Sequence, residues 1–196
     1  MVRTKVKQSA LLEWLLDGGV LISDGATGTY LQSHGLEPGG CPEEFNASHP
    51  ETVRQMAKDY FDAGSDMVLT NSFGANKFML KKYGHGDRVA KFNRLAAQHA
   101  RSAAPPGRLV AGSVGPSGEF LEPLGEVTEA EMLEAFKDQV TALAAGSADS
   151  WRRTLAAVAD GTVDVITSGH DPRGPEDKRL PFADAAPGMA GAETLL

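Results

Sequence analysis

Apolar residues recur along this chain at two spacings. Leu11, Leu12, Leu15 and Leu16 fall three and four apart, with Glu13 between them and Asp17 after them. That spacing predicts an amphipathic helix over Ala10–Leu16, closed by a glycine cap at Gly18-Gly19. A second helical stretch lies around Tyr30–His34. In "HPETVRQMAKDYFDAG" (49–64), Pro50 in the first turn and Gly64 at the end bracket a third helix. "DRVAKFNRLAAQHARSAA" (87–104) is a fourth, stopped by Pro105-Pro106-Gly107, and "VTEAEMLEAFKDQVTALAAG" (127–146) is a fifth. Thr128, followed three residues later by Glu131, predicts a capping box at the start of the fifth.

Between the helices stand short runs that are apolar along most of their length: 20–23, 67–72, 109–114 and 163–168. Strands of this kind are buried on both faces, as in parallel sheets covered by helices. The repeat is therefore β/α, with about four units. Polar residues stand at the C-terminal end of the first three runs: Asp24, then Thr70-Asn71-Ser72, then Ser113 with Gly115. α/β barrels and open α/β sheets keep their chemistry at that edge. Periodicity alone leaves both architectures open.

Composition narrows the function. With 19 basic against 26 acidic residues the formal charge is −7, which argues against a nucleic-acid partner. No apolar run approaches the ~20 residues of a membrane-spanning helix, and the expected location is the cytoplasm. Cys41 is the sole cysteine among 196 residues, so neither an intrachain disulfide nor a multi-thiolate metal site is available. Cys41 is expected to be a bystander. His34, His49, His85 and His99 show no metal-ligand spacing and are expected at the surface or at helix ends.

Three blocks carry a resemblance: "LISDGATGTYLQ", "SHPETVRQMAKDYFDAGSDMVLTNSFGAN" and "LVAGSVGPSGEFLEPLG". Together they resemble the homocysteine S-methyltransferase family, in order and with matching spacing, from about residue 10 to about residue 149. The resemblance implies part of a (β/α)8 barrel and methyl transfer to the thiol of homocysteine, a step in methionine biosynthesis. It also implies that Asp24 and Gly25 meet the amino-acid end of the substrate, an ammonium needing an acceptor carboxylate, and that Thr70 and Asn71 line the pocket floor. Family members bind the thiol to zinc through three cysteines on late strands, where the metal keeps sulfur as the thiolate. This chain lacks those cysteines, so no zinc and no catalytic residue are assigned to it.

From about residue 151 to 196 the sequence is similar to a different family, the dihydroorotases. The strand 163–168 runs into "GHDPRG", followed by "PFADAAPGMAGAETLL". The resemblance aligns that family's catalytic aspartate with Gly169, which has no side chain to move a proton. His170 and Pro172 are kept, whereas Asp171 and Arg173 stand at the alanine and second-histidine positions. The chain thus reads as composite, residues 1–149 and 150–196 forming one domain with a seam near Ser147–Arg153. Four β/α units cannot close an eight-stranded barrel. The expectation is a half-barrel or open sheet that self-associates through unpaired edges. It either retains a small amino-acid site or stands as a non-catalytic, chimeric or engineered scaffold.

Overall fold

The computed structural model describes residues 20–146. The helix expected at Ala10–Leu16, the seam, the strand expected at 163–168 and the dihydroorotase-like tail lie outside the described residues.

Within them, helices alternate with parallel strands. In chain order they are α1 (Thr27–Ser33), α2 (Phe45–Ser48), α3 (Pro50–Asp62), β1 (Met67–Leu69), α4 (Lys77–Lys82), α5 (Val89–Ala103), β2 (Leu109–Ala111) and α6 (Glu129–Gly146). A 3₁₀ turn, Pro42–Glu44, leads into α2. Strands β1 and β2 pair in parallel, Met67 opposite Leu109 and Leu69 opposite Ala111. On the other side of β1, Ser23 forms a single parallel bridge to Met67. Three of the expected strand positions therefore lie side by side, in the order 23, β1, β2.

All three are shorter than expected, and at the C-terminal ends of the ladders side chains take the place of backbone carbonyls. Met67 donates its N–H to Ile22 O, and Asp24 donates its own to Met67 O. The next bond of a parallel ladder would run from Leu69 N–H to the carbonyl of residue 24. Instead Leu69 N–H is accepted by the Asp24 carboxylate at 2.9 Å. Likewise Ser113 N–H is accepted by Thr70 Oγ1 at 2.9 Å rather than by a backbone carbonyl.

The helices cover one face of this small sheet. Val68 is fully buried against Phe61 of α3 and Ala100 of α5, whereas Met67 and Leu69, pointing the other way, are only partly covered. Helix α5 buries Val89, Phe92, Asn93, Ala96, Ala97 and Ala100, a single stripe at helical spacing. It packs closely on α6, where a Cβ at Gly146 would come within 2.4 Å of Arg94 O. The expected capping box is present. Thr128 N–H donates to the Glu131 carboxylate at 2.9 Å, and Glu131 N–H donates back to Thr128 Oγ1 at 3.3 Å. At the opposite end of the sheet, Asp66 accepts Ile22 N–H and pairs with Arg108, tying the three strand positions together.

Candidate functional site

The three strand positions deliver Asp24, Thr70 to Ser72 and Ser113 to one edge, as expected. Asp24 is half-buried. Its Oδ2 accepts Leu69 N–H and its Oδ1 accepts the Ser23 hydroxyl at 3.0 Å. Burial pushes this carboxyl above its usual range, against the lowering effect of those two donors. A carboxylate has about four lone-pair sites, so Asp24 retains acceptor capacity after these bonds.

Gly25 is where α3 approaches the turn after Asp24. A Cβ there would lie 3.1 Å from both a ring carbon and the hydroxyl oxygen of Tyr60, and that hydroxyl donates to Ala26 O at 3.2 Å. The proximity is electrostatic as well: burial, then the Asp24 charge, raises the Tyr60 pKa.

Thr70 and Asn71 are both buried, and the Thr70 hydroxyl and the Asn71 amide nitrogen are spent on the protein. Ser72 Oγ donates to Ser113 O at 2.7 Å, so the proton between Thr70 and Ser72, 2.6 Å apart, belongs to Thr70. With Ser113 N–H returning to Thr70 Oγ1, the bonds close a ring. Asn71 Nδ2 donates to Pro42 O at 2.8 Å and to Asn46 Oδ1 at 3.2 Å, while Asn46 Nδ2 donates to Asn71 O at 2.8 Å.

Several residues that build this edge were not singled out from the sequence. Buried Glu43 accepts Gly74 N–H, Gln139 of α6 donates to Ser72 O at 2.8 Å, and Asn93 of α5 donates to Ala75 O at 2.8 Å. Their signal was positional: residues 93 and 139 fall in the buried stripe of their helices. His99 corrects an expectation outright. It is buried, not superficial, because it faces α2 and α3: Nε2 meets Asn46 O at 2.8 Å and Nδ1 meets Arg54 at 3.2 Å.

The profile of the homocysteine S-methyltransferase family matches residues 21–160. The chain belongs to the homocysteine S-methyltransferase family. The family match extends past the seam read from the sequence near residue 149. Among relatives of this homocysteine S-methyltransferase family chain, a methionine synthase of Mycobacterium tuberculosis is 33% identical over 150 residues, covering 69% of this chain and 12% of that protein. A betaine–homocysteine S-methyltransferase 1 of Mus musculus is 32% identical over 145 residues, covering 71% of this chain and 35% of the mouse protein. The fold is shared with the homocysteine methyltransferase MmuM of Escherichia coli in its oxidized form. That match has a TM-score of 0.58 and 24% identity, over 70% of this chain and 54% of the other. The chain thus spans from about an eighth to about half the length of these relatives.

The residues present do not fit the family's zinc. Cys41 is the sole cysteine of the sequence. Burial, then the neighbouring Glu43 charge, pushes its thiol up to about 12. Among the described residues no three His, Cys, Asp or Glu side chains gather closely enough to hold a metal ion. No described helix is long and apolar enough to cross a membrane.

Proposed function

We propose that this chain is the amino-acid-binding portion of a cytoplasmic homocysteine S-methyltransferase barrel. It holds the ammonium end of homocysteine at Asp24, with Gly25 allowing close approach and Thr70 and Asn71 forming the floor beneath. Supporting this is the Asp24 carboxylate, held at the strand edge with lone pairs to spare in a chain of this family. Thr70 and the Asn71 amide nitrogen contribute shape rather than polar contacts, since their donors are turned into the protein. The chain does not carry out methyl transfer unaided, because its single protonated thiol is no zinc-binding set and no cluster among the described residues would ionise the substrate sulfur.

The wider reading goes with this one. Residues 1–149 are a partial (β/α)8 barrel, residues 150–196 a dihydroorotase-like segment lacking its catalytic aspartate, and the composite is a half-barrel or open sheet of about four units. It associates with copies of itself through the uncovered edges.

Calorimetric titration with homocysteine tests the site. The wild-type chain binds, and Asp24→Asn, which keeps the Leu69 bond but removes the charge, weakens binding by about tenfold or more. Equal affinity of the two would remove the assignment. Methionine formation by the purified chain would overturn the non-catalytic reading.

A further inference from the structure

Glu43 is 4% exposed, an unusual place for a carboxylate unless donors meet it. Its Oε1 accepts Gly74 N–H at 2.7 Å, and its Oε2 lies 3.5 Å from the Cys41 thiol, which keeps its proton and donates. The close approach needs glycine at 74: a Cβ would sit 2.9 Å from Oε1. Neighbours of Glu43 grip the same loop. Pro42 O accepts Asn71 Nδ2, and Asn46 donates to Asn71 O. From the other side Gln139 and Asn93 hold the carbonyls of Ser72 and Ala75. Those amides secure loop carbonyls, whereas Glu43 secures a loop N–H, at the turn between Asn71 and α4.

We propose that Glu43 is a positioning residue of the ligand edge. By accepting Gly74 N–H it sets the 71–74 turn, and with it the placement of Thr70 and Asn71 beside Asp24. The ligand half of this statement rests on the homocysteine reading above; the turn half does not.

The test compares Glu43→Ala, Glu43→Met and Glu43→Gln in the full chain. Amide hydrogen exchange is read at Gly74 and, as a reference, at Phe92, whose N–H donates to Arg88 O at the N-terminus of α5. Homocysteine affinity is read by calorimetry. Alanine, or methionine where alanine does not fold, should speed Gly74 exchange and weaken homocysteine binding, each by about tenfold, the scale of one hydrogen bond. Phe92 should stay unchanged, and glutamine, which restores a carbonyl acceptor at the same reach, should return both readings towards wild type. Gly74 protection that persists without the acceptor overturns the proposal. So does exchange that rises equally at Phe92, or a freed Gly74 with unaltered affinity. A wild-type chain that binds no homocysteine removes the ligand reading, and Gly74 exchange then decides the role of Glu43 in the turn by itself.

Discussion

Asp24 pairs a structural bond with an unfavourable charge. Burial raises its pKa above 3.8 even though Leu69 N–H and the Ser23 hydroxyl favour the anion. A group with a raised folded pKa contributes stability that is present at low pH and lost as pH rises through that value. An ammonium placed beside it reverses the penalty, and only the ionised form attracts one. Homocysteine affinity should therefore fall as pH is lowered through the raised Asp24 value, which calorimetry from about pH 7 to about pH 4 would follow. His99 has the opposite shift. Burial comes first among the causes that lower its pKa; the Arg54 charge also lowers it, and the bond to Asn46 O and the Glu51 charge oppose the shift. Because Arg54 is always a donor, Nδ1 accepts and the ring proton resides on Nε2. A depressed folded pKa means stability fully present above the unfolded value of 6.5 and lost as pH falls through the folded one. Denaturant midpoints should accordingly drop below about pH 6.5, and His99→Gln should flatten that slope.

Helices α3, α5 and α6 were legible because their ends are written in local chemistry, Pro50 and Gly64, Pro105-Pro106-Gly107, Thr128 with Glu131. The capping box makes Thr128→Ala a clean probe. It should cost about 1 kcal/mol of stability by chemical denaturation, and Thr128→Ser should recover most of it. The three strand positions among the described residues were legible in place but not in length. Nothing in "LISDG" or "DMVLTNSF" distinguishes a residue whose carbonyl continues the ladder from one whose side-chain oxygen does. Thr70 and Asp24 belong to the second kind, and only the neighbouring strand reveals it. The candidate edge was read from residues at strand ends. Glu43 and Asn46 were hidden in "CPEEFN", whose turn-like composition gives no sign that it folds back against Asn71 and Gly74. Gln139 was hidden because a polar residue in a buried stripe looks like a break in the pattern.

Across the described molecule, apolar surface is covered unevenly. Val68 faces helices, but Met67 and Leu69 on the opposite face of β1 are only partly covered, and Phe73 is 54% exposed. On α6 Gln139 is buried alongside Ala135, Ala142 and Leu143 while Leu133 is 69% exposed, and Phe120 and Leu124 protrude at 73% and 87%. Surface of this kind is where self-association is expected. Light scattering of the full chain should give a mass above that of one copy at micromolar concentration, and a monodisperse single copy would count against the association. The ring joining Thr70, Ser72 and Ser113 has a different consequence. Its protons all run one way round, from Thr70 to Ser72 to Ser113 O and from Ser113 N–H back to Thr70. Both hydroxyl protons are thus committed inside the ring, so a molecule settling over this rim meets a surface with no hydroxyl rotor left to order.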